Sequence, residues 1–175
     1  MQSDHNPSNF ISTSWIENLA IEEINMEESG VITFNEHLNP EYYLEESSIN
    51  LMNEIRDFFE IYVNKFNEYR NGSGNGIKIF KISNTVNDFM LFRNSLKLIF
   101  ARKGQDTISI GFFSNTGNSF GPRLNHADNV SPNLHELKAQ VGAFNNISWH
   151  FQGEKVDVET LVRHYLTEFI KQSAR

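Results

Sequence analysis

One stretch constrains this chain more than any other. Residues 77–113, IKIFKISNTVNDFMLFRNSLKLIFARKGQDTISIGFF, hold six of the fifteen phenylalanines and most of the β-branched density. Such residues fit a pleated, half-buried surface, so the stretch predicts the sheet on which everything else packs. It divides into about four strands, 77–83, 88–93, 95–102 and 106–113. In the last pair Leu96, Leu98 and Phe100 alternate with Lys97 and Ile99, and Ile108, Ile110 and Phe112 alternate with Thr107, Ser109 and Gly111. The polar segment Arg102 to Asp106, with Gly104 inside it, joins them as a hairpin and makes the sheet antiparallel. Arg93-Asn94-Ser95 is a weaker break, and Phe89 to Phe100 reads equally as one bent strand.

Two helical stripes are available to cover that sheet. After Asn39-Pro40, a favourable helix start, apolar residues recur at Leu44, Leu51, Met52, Ile55, Phe58, Phe59, Tyr62, Val63, Phe66 and Tyr69, a sustained spacing of three and four. Near the C-terminus Asp157 stands at a capping position, Val156 and Leu161 at staple positions, and Val158, Leu161, Val162, Tyr165, Leu166, Phe169 and Ile170 form the second stripe. The Asn71-Gly76 run between the long helix and the first strand is a linker. A phosphate-binding glycine loop follows a strand and opens a helix, the reverse of the order here.

The remaining segments are shorter. Residues 1–13 form a polar arm; Ser14 and Glu17 have the spacing of a capping box, and Trp15, Ile16, Leu19 and Ala20 share a face of a helix over 14–28. Glu17, Glu22, Glu23, Glu27 and Glu28 make the rest of that helix acidic. Val31 to Phe34 predicts a short edge strand, 114–130 a long polar loop, and Ser131-Pro132 the start of a short helix carrying Leu134, Leu137 and Val141. Ile147, Trp149 and Phe151 alternate with Ser148, His150 and Gln152 as a further strand. The expected architecture is α+β, a two-layer domain in which an antiparallel sheet of about five strands is packed by a long central helix and a C-terminal helix. An acidic N-terminal arm with a short helix, 1–39, precedes this core domain of 40–175.

Composition narrows the chemistry. With no cysteine among 175 residues, disulfide frameworks, thiol nucleophiles and cysteine-ligated metal or iron–sulfur sites are excluded. The start MQSDHNPSNF lacks a basic and apolar leader pattern, and no run approaches the roughly 18 apolar residues of a membrane span, so a soluble, cytoplasmic protein with no membrane partner is expected. The net charge of −7 divides unevenly: residues 1–62 hold thirteen acidic groups against Arg56 alone, and 63–175 hold fourteen basic groups against nine acidic ones.

No G-x-S-x-G elbow and no Walker pattern occurs, and the enzyme question stays open. The leading expectation is a non-enzymatic interaction module, an accessory or assembly subunit that binds another protein or associates with itself as a homo-oligomer. A first alternative is a nucleic-acid-binding sheet face using Lys78, Lys81, Arg93, Lys97, Arg102, Lys103 and Arg123. A second is a small-ligand pocket, or a hydrolase site, under the 114–135 loop, with Arg123, His126, Asp128 and His135 as its groups. His126, Asp128 and His135 come nearest to a metal set, but His135-Glu136 does not continue into the helical H-E-x-x-H spacing, so neither metal nor cofactor is expected. His150, between two inward aromatics, reads as a surface residue, and His164 as a residue bordering the C-terminal stripe.

Overall fold

A computed structural model of the chain describes residues 11–32, 36–70, 74–114, 119–120 and 134–174. The chain divides into two compact units, Met1–Leu38 and Asn39–Arg175. In the first, α1 spans Ser14–Ser29 and a 3₁₀ turn follows at Glu36–Leu38. The expected Ser14/Glu17 capping box does not form. Thr13, one residue earlier, holds the N-cap position without a side-chain cap bond, and the Ser14 hydroxyl meets Ser12 at 3.0 Å instead. Gly30 closes the helix in the left-handed conformation, φ 67°, donating its N–H to the Met26 carbonyl. Val31 and Ile32 are not in a strand, and the rest of that predicted strand lies outside the described residues.

The second unit is the expected two-layer α+β domain. α2 (Pro40–Arg70) and α3 (Val158–Ser173) lie on one face of an antiparallel sheet whose strands run β1 (Lys78–Lys81), β2 (Phe89–Arg93), β3 (Leu96–Arg102), β4 (Thr107–Ser114), β6 (His135–Val141), β7 (Ile147–Phe151) and β8 (Glu154–Lys155). The short β5 (Ser119–Phe120) pairs with β4 off this path. The path therefore holds seven strands where about five are expected. One extra strand replaces the helix predicted from Ser131-Pro132: His135–Val141 pairs with β4 on one side and β7 on the other. The second is the two-residue β8, too short to register as a pattern.

Local chemistry accounts for the other boundaries. Asn94 and Ser95 both take positive φ, 47° and 69°, the pair of left-handed residues that a two-residue hairpin turn requires, so β2 and β3 are separate strands. Asp157 caps α3, its Oδ2 accepting from the Thr160 backbone N–H at 2.9 Å. At the other end of α2, Asn67 clamps the start of β1: its Oδ1 accepts from Ile77 N–H and its Nδ2 donates to Ile77 C=O, both at 2.9 Å. Gly76 lets the chain pass, since a Cβ there would lie 3.0 Å from Asn67 Oδ1.

The core lies between the helices and one sheet face. Phe59 of α2 meets Phe100 at 5.2 Å and Phe89 at 6.1 Å, edge to face, while Phe89 and Phe100 stack at 5.0 Å. From α3, Tyr165 meets Phe100 and Phe169 stacks on Phe112. Polar latches fix the helix over the sheet: Trp149 Nε1 donates to Ser47 Oγ, Asn87 Nδ2 to the Ile49 carbonyl, and Arg102 pairs with Glu45 at 2.6 Å. No helix among the described residues is long and apolar enough to cross a membrane.

Such one-sided packing makes a prediction. Phe100→Ala should cost about 3–5 kcal/mol of unfolding free energy, and Phe92→Ala, on the opposite face, about 1 kcal/mol or less, both read from denaturant unfolding.

Candidate interaction surface on the open sheet face

Strand alternation sends every second residue of the sheet away from the helices. The register places these outward residues in rows across neighbouring strands. One row reads Lys78, Phe92, Lys97 and Phe113 across β1 to β4. The next reads Phe80, Met90, Ile99 and Gly111, and the third Ala101, Ser109 and Glu136. A fourth, toward the far edge, reads Thr107, Lys138, His150 and Lys155.

Phe80, Met90, Phe92, Ile99 and Phe113 belong neither to the buried core nor to the residues packed against it. Phe80 is 42% exposed, and the others are half-buried. Gly111 leaves its place in the second row without a side chain and is buried, as are Ser109 and Thr107 on the same side of β4, so the accessible part of the rows lies on β1 to β3 and at Phe113. The result is an apolar strip with lysine inserted at alternate strands. Lys78 and Lys97 form no ion pair among the described residues, whereas Lys138 is held by Glu136 at 3.2 Å and by the Thr107 hydroxyl.

The basic set expected from the sequence separates on this geometry. Lys78 and Lys97 lie on the open face; Lys81 is exposed on β1, and Lys103 in the β3–β4 turn. Arg93 and Arg102 face the helices. Arg93 is only 4% exposed, with Nε donating to the Asn75 carbonyl, Nη1 to the Ile170 carbonyl and Ser173 Oγ, and its guanidinium 5.3 Å from the Phe66 ring centre. It serves the C-terminus of α3, where unpaired carbonyls and the helix dipole favour a cation, and is not available to a phosphate. Arg102 is engaged by Glu45. Arg123 lies outside the described residues.

Of the expected pocket residues, Arg123, His126 and Asp128 also lie outside the described residues. His135 does not stand in a loop or helix but on β6, facing the core. Its Nδ1 is 2.7 Å from the Tyr165 hydroxyl, and its ring packs on Phe151. Tyr165 was not singled out as a polar partner by the sequence, where it is one more apolar position of the α3 stripe. Burial, then the Glu168 charge, pushes the Tyr165 phenol up, so it stays protonated and shares a hydrogen bond with His135 Nδ1. Burial, then the charge of His164, lowers His135 to about 4. A histidine that stays neutral this far below pH 7 is a poor general base, and a protonated buried tyrosine is no nucleophile, so the pair is a satisfied core hydrogen bond. His150, on the open face, meets Ser148 Oγ at 2.9 Å, and His164 borders Glu168 at 3.6 Å on α3.

Two shallow depressions are lined by described residues other than His135. One, of about 310 Å³, lies along α2 between Asn50 and Ile61; the other, of about 370 Å³, lies at the hairpin ends between Val86, Asp88 and Arg102. Among the described residues no group of three or more His, Asp or Glu side chains is placed to hold a metal ion.

The His135 environment sets a pH dependence. Its pKa is about 4 in the fold and about 6.5 when unfolded, so the unfolded chain takes up the proton first as pH falls. This contribution to stability is complete above pH 6.5 and is lost between about 6.5 and 4. Thermal unfolding of the wild type should therefore lose more stability over that interval than His135→Gln does. Comparison of the whole chain with protein-family models, curated proteins and solved structures finds no match, so the functional reading rests on this surface alone.

Proposed function

We propose that the chain is a non-enzymatic interaction module, an accessory or assembly subunit that binds a protein partner or another copy of itself through the open face of β1 to β4. The supporting observation is the pair of outward rows Lys78-Phe92-Lys97-Phe113 and Phe80-Met90-Ile99, whose apolar members lie outside the core cluster and the residues packed against it. A contiguous apolar strip facing water is costly to keep and marks association surfaces on soluble domains. Aromatics and methionine at the centre with charge interspersed is also the composition of an interface core and rim.

The alternation of lysine with phenylalanine favours one second reading, a single-stranded nucleic acid whose bases stack on Phe92 and Phe113 while Lys78 and Lys97 meet its phosphates. Salt separates the two. Stacking with phosphate contact weakens steeply as salt rises, whereas apolar docking of a protein surface holds.

The test uses the full chain and the variants Phe92→Ser and Phe113→Ser. Both should leave the unfolding midpoint within a few degrees of wild type and weaken self-association or partner capture by about tenfold or more. Ile61→Ser, exposed on α2, is the control and should change neither. Association unaffected by both sheet variants would overturn the assignment of the surface. Salt-sensitive binding of single-stranded DNA or RNA probes that both variants abolish would transfer it to the second reading.

A further inference from the structure

The chain carries its own counterpart to this surface. α1 buries none of its residues, and Trp15, Ile16, Leu19, Ile21 and Ile24 are between 44% and 64% exposed. A helix of sixteen residues with this composition is marginal alone in water and needs a packing partner to persist. At 100° per residue Trp15, Leu19 and Met26 fall within about 40° of one another, and Glu22 and Glu23 flank that ridge on its two sides. Lysine and arginine are absent from the whole of residues 1–38.

From these observations we infer that the occupant of the open sheet face is α1 of a second copy, exchanged reciprocally in a twofold dimer. This rests on the docking surface proposed above and names what fills it. The two surfaces match in size: α1 is about 24 Å long, and β1 to β4 span about 14 Å across and about 20 Å along the strands. They match in pattern, a ridge of Trp15, Leu19 and Met26 against Phe92, Phe113 and Ile99. They match in charge, since the glutamates beside the ridge meet Lys78 and Lys97, which have no ion pair among the described residues. Desolvated charge complementarity of this kind fixes register and orientation more than it adds affinity.

A second copy suits this geometry better than the chain's own sheet. α2 lies on the covered face, so an α1 reaching the open face of its own domain must pass round the sheet within residues 30–39, three of them wound in the 3₁₀ turn. That tether extends to about 29 Å at full stretch, and the straight line of about 20 Å between helical layers on opposite faces runs through the sheet, so the path round its edge is longer and leaves little slack. A second copy approaches without that constraint, and twofold symmetry then satisfies both α1 helices and both sheet faces at once.

The decisive experiment mixes two full-length variants, each defective on one side of the contact. Leu19→Asp spoils the helix, and Phe92→Asp spoils the sheet face; Lys97→Glu serves as a second sheet variant if Phe92→Asp fails to fold by circular dichroism. Sedimentation equilibrium should show a wild-type dimer and a dissociation constant about tenfold or more weaker for each variant alone. Mixing Leu19→Asp with either sheet variant should restore dimer, because the intact helix of one copy meets the intact sheet of the other. Dimer retained by Leu19→Asp but lost in the sheet variants would overturn α1 as the occupant and leave the docking surface standing, with sheet-to-sheet pairing or another partner in its place. A wild-type monomer in which Leu19→Asp alone unmasks the sheet face to a hydrophobic dye would mean closure within one chain and overturn the exchange. Dimer unaffected by any variant would overturn both the exchange and the surface.

Discussion

The structure depends on a three-ring contact in which Phe59 descends edge-on between Phe89 and Phe100, two rings of adjacent strands lying within 4° of parallel. Edge-to-face geometry sets the electropositive rim of one ring on the faces of the others, and all three rings are fully buried. Once these rings face α2, the two-residue period of the strands decides the fate of every other side chain in β2 and β3. Leu91 and Leu98 are sealed with them, and Met90, Phe92 and Ile99 are turned outward. The open face thus follows from the same constraint that builds the core.

Arg93 is the exception that the core accommodates. It occupies the inward place after Phe89 and Leu91, where a further leucine would continue the pattern. Its chain reaches the end of α3, and its guanidinium joins three elements at once: the Ile170 carbonyl and Ser173 hydroxyl of α3, the Asn75 carbonyl before β1, and the ring of Phe66 from α2. The neighbouring Asn94 adds a bond of 2.7 Å to the Ser173 carbonyl. The bare helix end is thereby paired, and the two helices are held to the strand that they share.

Strong periodicity and local capping chemistry made much of this fold legible. Leu51, Met52, Ile55, Phe59 and Val63 repeat over enough turns to define α2, and Asp157 with Thr160 marks the start of α3 by a bond made within four residues. What stayed hidden depends on distant partners. His135 to Val141 satisfies a helical template through Leu134, Leu137 and Val141, with Pro132 ahead of it, yet Glu136, Lys138 and Gln140 also alternate with His135, Leu137 and Ala139. Two patterns of equal local merit were decided by the free edge of β4, which pairs with this segment from Thr107 to Ile110. The candidate site was hidden for a related reason. Lys78, Arg93, Lys97 and Arg102 are alike as a string of cations, and only register separates the two on the open face from the two among the helices.

The lateral margins of the sheet carry a last consequence. On one side β1 begins and ends with lysine, and on the other β8 is two residues long and consists of Glu154 and Lys155. Margins so short and so charged are poor templates for an incoming strand, because each added chain would stack like charges along the growing ribbon. A protein with aromatic rings open to water is ordinarily exposed to runaway, fibre-like growth. Here the charged rims close that route at both edges of the sheet.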